Sequence, residues 1–160
     1  MSMRKAATLR LAGARDIASV TDWAMHAGQV ADARPLSGEQ LRADLFEPDT
    51  NVLLVIDPDG IAALGVMHYG IDEATLTRLD VDRRLPALER EVGACLSMLR
   101  WFETSALAAG ICVISIVVAA DNPAAHGLLL AHGYRDFIEI GSDGEPRSRE
   151  VRFSRDLSST

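Results

Sequence analysis

The sequence predicts an α/β (α+β) fold: a mixed, mostly antiparallel central sheet of about seven strands flanked by about four helices. Two observations support this. Apolar stretches of strand length recur along the chain, and segments with apolar residues at helical spacing interrupt them in the order β-α-α-β-β-β-α-β-α-β-β. No linker or internal repeat divides the 160 residues. We therefore expect a single domain over residues 1–160.

The first part of the chain predicts one strand and two helices. Residues Ala6 to Ala12 alternate as a strand does, and Asp16 is expected to cap a helix over residues 17–24. Ser37 and Gln40 have the spacing of a capping box, which predicts the start of a second helix.

The centre of the chain predicts an antiparallel meander. Residues 51–57 form a continuous apolar run, and Pro-Asp-Gly at residues 58–60 is a strong turn signal before the next apolar run, residues 61–72. A second reversal leads into a strand over residues 74–81.

The last third predicts two further helices and three strands. Apolar residues at helical spacing between Leu88 and Ala106 indicate a long helix that Gly110 ends. Residues 111–120 are a β-branched run typical of a strand covered on both faces. Pro123 to Gly133 predicts a short helix, and residues 137–157 predict a final hairpin.

Composition narrows the class of protein. The formal charge of -7 disfavours nucleic acid and anionic membranes as partners and mildly favours a cationic acceptor. The N-terminal segment has no apolar block of signal-peptide length, and nowhere do about 18 uncharged apolar residues run together, so we expect a cytoplasmic protein. Cys95 and Cys112 lie in apolar segments and are expected to be small hydrophobic residues without a disulfide. No metal-ligand spacing occurs, so no metal is expected.

The segment DNPAAHGLLLAHGY carries the strongest functional signal. It has an Asn at the end of a strand, an Ala three residues later, and a Gly followed by an aromatic residue that closes the helix: Asn122, Ala125, Gly133 and Tyr134. With the order of elements, this segment resembles the GNAT superfamily of acyl-CoA N-acyltransferases. The resemblance covers the whole chain, and it implies an enzyme that takes acetyl-CoA as co-substrate.

The resemblance also implies where the coenzyme lies. Residues Leu79, Asp80 and Val81, together with Asn122 and Ala125, would hold the pantetheine arm. A loop of the form Arg-x-x-Gly-x-Gly (or Ala) would hold the pyrophosphate at a helix N-terminus, where unpaired N–H groups favour an anion. Its nearest match is Arg90, Glu91, Val92, Gly93, Ala94 and Cys95.

This match departs from the family pattern in three ways. Cys95 replaces Gly or Ala, Glu91 brings a negative charge towards the phosphates, and the distance from Val81 is about four residues longer than usual. A second register therefore stays open, in which Pro86 begins the helix and Arg83 or Arg84 faces the phosphates. We favour the first register, because a glycine inside a helix costs about 1 kcal/mol relative to alanine.

The usual proton-transfer residues are missing. Where many GNAT enzymes have a glutamate base and a tyrosine acid, this chain has Thr75 and Leu129, which cannot transfer a proton at neutral pH. Glu73 lies two residues before Thr75 and is the candidate base. His126 lies one helical turn before Leu129 and is the candidate acid.

The leading hypothesis is an N-acetyltransferase in which an amine attacks acetyl-CoA directly in a ternary complex. The acceptor, a small molecule or a peptide, would bind between residues 28–40 and the final hairpin, with His68 or Tyr69 lining its site. A regulatory GNAT-like module that binds acyl-CoA without turnover is the alternative, and a small α/β protein of unrelated function is a third. Many members of the superfamily pair, so the resemblance also implies a homodimer.

Overall fold

A computed structural model describes residues 7–31, 36–82, 93–119, 123–137 and 150–159. The strands, in chain order, are β1 (Thr8–Leu11), β2 (Gly28–Ala31), β3 (Thr50–Asp57), β4 (Gly60–Tyr69), β5 (Ala74–Val81), β6 (Val113–Ala119), β7 (Arg135–Phe137) and β8 (Glu150–Asp156). The helices are α1 (Ile17–Ala24), α2 (Gly38–Phe46), α3 (Cys95–Ala108) and α4 (Pro123–Ala131). Short 3-10 turns cover Ala14–Asp16 and Leu157–Ser159.

The eight strands form one sheet in the order β1-β3-β4-β5-β2-β6-β8-β7. All neighbouring pairs in this order are antiparallel. In addition, β5 and β6 pair directly with each other over a short stretch, and this pairing is parallel. The predicted fold class and the predicted order of elements are confirmed, with one addition. The addition is β2, because no strand was predicted between the first two helices.

The sheet has an apolar core on each face. The α1–α2 core contains buried residues of α1, α2, β3 and β4: Val20, Ala24, Leu36, Leu41, Val52, Leu54, Leu64 and Val66. The α3 core lies on the opposite face, where α3 and α4 cover β3 to β6 and β8; it includes Leu53, Met67, Leu76, Leu79, Met98, Leu99, Phe102, Ile116, Leu129 and Phe153. Strand residues alternate between the two, as the pleat requires.

Gly65 lets α3 approach β4 closely. A Cβ atom at this position would lie 2.7 Å from Phe102 Cε2 and would overlap Met98 Sδ. Both of these α3 side chains are fully buried, so neither can move into solvent. The glycine therefore fixes the distance between the long helix and the centre of the sheet.

A partly buried ionic cluster attaches the end of α4 to α3 and β8. Arg155 Nη1 donates to both carboxylate oxygens of Glu103, at 3.0 and 2.7 Å, and His132 Nε2 lies 2.8 Å from Glu103 Oε1. The Tyr134 ring stacks on His132 and is 2% exposed. Burial, together with the Glu103 charge, raises the pKa of Tyr134. Gly133 closes α4 with a φ of 91°, as the sequence predicted.

Two predictions about helix starts have different outcomes. The Ser37 hydroxyl accepts the Gln40 N–H at 3.0 Å, so the predicted cap of α2 is confirmed. The predicted Asp16 cap of α1 is wrong, because the Asp16 carboxylate makes no capping bond to that helix. It accepts the Gly13 N–H at 2.8 Å and two bonds from Arg10, at 2.9 and 2.8 Å, and thereby ties the end of β1 to the turn before α1.

Three other predictions change in detail. The last hairpin begins earlier than expected, since β7 covers Arg135–Phe137, and residues 138–149 lie outside the described ranges. Cys95 is buried as expected, but Cys112 is exposed because it precedes β6; both thiols are free. The long helix is described from residue 93 onwards, so the part predicted from Leu88 lies outside the described residues.

In the ranges that the structure covers, no helix is both long and apolar enough to span a membrane.

Replacing Gly65 with alanine should destabilise the protein by about 1–3 kcal/mol, because the new methyl group overpacks the contact with Phe102. Gly127 is the matched control: it is exposed on α4, and a Cβ there would meet nothing within 4 Å. Gly127→Ala should stabilise the protein by about 0.5–1 kcal/mol through helix propensity. Urea unfolding of both variants measures the two effects; equal changes of the same sign would contradict the close approach at Gly65.

Candidate functional site

The centre of the sheet contains a cleft between its two parallel strands. β5 and β6 pair over residues 74–76 and 114–116, and no pairing between them continues beyond Leu76 and Ile116. Farther along, β2 lies between them, opposite residues 79–81 of β5 and Val118 of β6. Two strand spacings, about 9–10 Å, therefore separate the parallel strands at the open end of the cleft.

A β-bulge in β5 starts this separation. Val66 of β4 is opposite Arg78 and Met67 is opposite Leu76, so Thr77 has no partner in the register. Because of the extra residue, Leu76 and Leu79 both face the α3 core although they are three positions apart. A bulge bends its strand, and this one follows immediately after the last residue that pairs with β6.

The cleft end of β5 is where the family resemblance implies the pantetheine contact. In this structure, the backbone edge at residues 79–81 is paired with β2: Gly28 is opposite Val81, Gln29 is opposite Asp80, and Ala31 is opposite Leu79. An extended ligand that bonds this edge of β5 fits only when β2 has left it.

Polar side chains collect on the α1–α2 face of the sheet at the closed end of the cleft. Thr75 and Ser115 lie on facing positions of β5 and β6, with their hydroxyls 3.4 Å apart. Arg152 of β8 reaches across β6: its Nη2 lies 3.5 Å from the Ser115 hydroxyl and forms an ion pair with Glu73, just before β5. The structure thus joins the candidate base to two polar residues of neighbouring strands, Ser115 and Arg152.

The surroundings of Glu73 make it a weak base. Partial burial pushes its pKa upward, but hydrogen bonds from Ser115 and Arg152 and the Arg152 charge outweigh burial and lower the pKa below its ordinary value. The carboxyl is therefore ionised at neutral pH, and its affinity for a proton is reduced. The side chains of Glu73 and Arg152 are 34% and 30% exposed, so both remain accessible from this face.

A second ion pair lies farther along β5 on the same face. Arg78 donates to Asp80 Oδ2 from Nε at 3.1 Å and from Nη2 at 3.0 Å, and the two side chains are 6% and 0% exposed. Both residues flank Leu79, whose side chain is in the α3 core. This pair places buried charge beside the segment of β5 that borders the cleft.

His126, the candidate acid, lies on the other face of the sheet. Its ring meets Phe153 edge-on, with the ring centroids 5.1 Å apart, and its helix neighbours Ala125 and Leu129 are buried in the α3 core. Glu73 and His126 therefore do not come together on one surface. The sheet separates them, and β2 fills the space between the open ends of β5 and β6.

His68 and Tyr69 separate as the alternation of a strand predicts. The Tyr69 hydroxyl lies 2.6 Å from the Ser105 hydroxyl of α3 and accepts a bond from Asn51 at 2.8 Å, so Tyr69 attaches α3 to the sheet. His68 is exposed and is opposite Thr75 in the register. Of the two, His68 is the one next to the polar face.

The predicted pyrophosphate loop is described only in part. Arg90, Glu91, Val92 and Asn122 lie outside the described residues. Gly93 is exposed, Ala94 already has helical angles (φ -68°, ψ -45°), and Cys95 is 1% exposed in the α3 core. Helical geometry at Ala94 agrees with the register in which the helix starts earlier. The residues that would decide between the two registers, 83–92, lie outside the described ranges, so both registers stay predictions.

Sequence reasoning missed Ser115, Arg152 and the Arg78–Asp80 pair. Ser115 is the one polar residue in an apolar strand, and Arg152 alternates with Val151 and Phe153, so both patterns marked a polar position on one face. The pattern could not show that these positions meet, because that depends on the strand order.

Among the described residues, no three His, Cys, Asp or Glu side chains gather as a metal site.

Solved structures resemble this one over nearly their full length. The ribosomal-protein-S18-alanine N-acetyltransferase of Escherichia coli has a TM-score of 0.74 at 19% identity, covering 96% of each chain. The GNAT domain of S. lividans PAT has a TM-score of 0.76 at 17% identity, over 94% of this chain and 90% of that one. PaiA N-acetyltransferase of Thermoplasma acidophilum, solved with coenzyme A, has a TM-score of 0.75 at 12% identity, over 95% and 99%.

Neither a family model nor the sequence of a curated protein matches the chain. At identities below one fifth, the structural likeness defines the fold. The chain has the GNAT fold, as the segment from Asn122 to Tyr134 predicted.

Replacing Arg152 with glutamine should raise the pKa of Glu73. The change removes a charge and a hydrogen bond that lower this pKa, whereas the effect of burial remains. A carboxyl with a lowered pKa contributes stability above its ordinary pKa that is lost as the pH falls, so the acid dependence of unfolding should also shrink. An NMR titration of the Glu73 carboxyl carbon measures the shift. Arg135→Gln, on the exposed strand β7, is the control; a Glu73 pKa unchanged in Arg152→Gln would refute the pairing.

Proposed function

We propose that this protein is an acyl-CoA-dependent N-acyltransferase, most simply an N-acetyltransferase that transfers an acetyl group from acetyl-CoA to a primary amine. The observation that carries the proposal is the separation of β5 from β6 beyond Leu76 in a GNAT fold. Once β2 has left the opening, this separation would give two substrates access from opposite faces of one sheet. Direct attack in a ternary complex needs that arrangement.

The polar face is the proposed acceptor side. Glu73, Thr75 and Ser115 present a carboxylate and two hydroxyls there, which suits an amine that arrives as an ammonium group. The net charge of -7 also favours a cationic acceptor. The acceptor class that follows is a small-molecule or peptide amine.

Positioning is the main catalytic contribution that the chain offers. In the reaction, the amine nitrogen bonds to the thioester carbonyl carbon, the carbon–sulfur bond breaks, and the departing sulfur takes a proton. Glu73 can accept the amine proton through a water, but its lowered pKa limits this role. The bulged residue Thr77 lies outside the β4 register, and its backbone N–H is our candidate donor to the carbonyl oxygen.

A second candidate function is a regulatory module that binds acyl-CoA without turnover. Three observations favour it: β2 pairs with the β5 edge at residues 79–81, Leu129 is a buried apolar residue where an acid is expected, and Glu73 is held as a weak base. These features do not prevent ligand binding once β2 moves, but they leave little capacity for proton transfer.

Calorimetry with acetyl-CoA and coenzyme A, followed by a thiol-release assay over a panel of amines, separates these candidates. Binding with thiol release on at least one amine supports the enzyme. Binding without release on any amine would favour the regulatory module. Absence of binding to either ligand would exclude both.

Gly93 tests the register of the pyrophosphate loop. If its backbone contacts the phosphates, Gly93→Phe should weaken acetyl-CoA binding at least tenfold, because the new ring at this exposed position covers the approach to the start of α3. Thr104→Phe, on the exposed side of the same helix, controls for added bulk. Calorimetry gives both affinities, and equal affinities of Gly93→Phe and the control would move the phosphates to Arg83 or Arg84.

Glu73 and His126 test how much proton transfer contributes. We expect Glu73→Gln to lower kcat/KM by about tenfold or more at pH 7, with a smaller loss at high pH, where the acceptor amine is already neutral. His126→Gln should slow turnover without the same dependence on acceptor protonation. Steady-state kinetics between pH 6 and 9 distinguish them; a pH-independent loss in Glu73→Gln would show that Glu73 only positions its neighbours.

A further inference from the structure

β2 occupies the open end of the cleft with backbone contacts on both sides. Gly28, Gln29 and Ala31 are opposite residues 79–81 of β5, and Ala31 is also opposite Val118 of β6. A register shift between Gln29 and Ala31 leaves Val30 without a partner in β5. In the described part of the sheet, this short irregular strand is what links the two separated strands.

β2 is weakly held compared with its neighbours. It has four residues, whereas β5 has eight and β6 has seven. A single ladder hydrogen bond contributes roughly a two- to tenfold factor to an equilibrium constant, so a strand of this length with one bulge can be exchanged for another partner. Gly28 weakens it further, since glycine loses more conformational freedom than other residues when it is ordered in a strand.

Buried residues anchor the chain on both sides of β2. Ala27 is 5% exposed and donates its N–H to Ala24 O in the last turn of α1. Leu36 is 8% exposed in the α1–α2 core. With these anchors in place, β2 can leave the cleft while α1 and α2 stay on the sheet.

We propose that β2 is an autoinhibitory strap on the acyl-CoA site, an inference that rests on the proposed function. The strap takes the β5 edge that the amide groups of an extended acyl-CoA arm need, so the ligand binds only to the fraction of molecules in which the strap has left. The apparent dissociation constant is then the intrinsic constant divided by that fraction. Anything that loosens the strap strengthens binding, and anything that fixes it weakens binding.

Hydrogen exchange gives the most direct test. With saturating acetyl-CoA, the amides of Gln29 and Ala31 should exchange at least tenfold faster than in the free protein, while those of residues 79–81 should stay protected by their new partner. Retained protection of Gln29 and Ala31 while calorimetry shows acetyl-CoA bound would overturn the strap and leave the proposed function intact.

Ala31→Pro loosens the strap. Proline cannot donate to a ladder and is disfavoured in a strand that lies between two others. The variant should bind acetyl-CoA about fivefold or more tightly than the unmodified protein, and Ala31→Gly, which keeps the N–H, should show a smaller change. Circular dichroism checks that both variants are folded. An unchanged or weaker affinity in folded Ala31→Pro would refute the proposal.

A disulfide across the pair Gly28 and Val81 fixes the strap and does not depend on the proline variant. The double variant Gly28→Cys/Val81→Cys, made with Cys112→Ser to remove the exposed thiol, should bind acetyl-CoA at least tenfold more weakly when oxidised, and reduction should restore affinity. Equal affinity of the oxidised and reduced forms would overturn the strap. If the unmodified, Ala31→Pro and reduced proteins all fail to bind acetyl-CoA, both the strap and the proposed function are wrong.

Discussion

The departure of β5 from β6 is the constraint on which the rest of the site depends. Two parallel strands that begin as direct neighbours end with another strand between them, and the bulge at Thr77 lies at the position where they part. Backbone groups along the separated edges need partners, because a buried N–H or C=O without one is costly. The opening therefore requires an occupant, whether β2 or a ligand.

The charged residues around the cleft follow from the same constraint. Where β5 and β6 still touch, Arg152 spans β6 to reach Glu73 and so connects β8 to the start of β5. Farther along β5, Arg78 and Asp80 compensate each other in a buried pair beside the separated edge. Buried charges need partners, and in the buried pair the partner comes from the same strand, whereas the partly exposed Glu73 finds its partner on β8.

Much of the fold was predictable from the sequence, because the helix caps and turns that define most of its elements are encoded by neighbouring residues. The Ser37 cap, Gly133 at the end of α4, and the meander from β3 to β5 each depend on a few adjacent residues. Asp16 was assigned wrongly because its partner Arg10 lies on another element. β2 was missed because a four-residue strand has too little periodicity to recognise. The meeting of Glu73 with Arg152, 79 positions apart, depends on strand order, which no local pattern contains.

Glu73 has two roles that oppose each other. As the partner of Arg152 it helps to hold the closed end of the cleft, and the interactions that do this also lower its pKa. A stronger base at this position would need a weaker ion pair with Arg152, and a weaker pair would hold the closed end of the cleft less firmly. On the other face, Leu129 is a buried apolar residue that can neither give nor take a proton. Under the proposed function, the ionised Glu73 would therefore hold and place a cationic acceptor more effectively than it would take its proton.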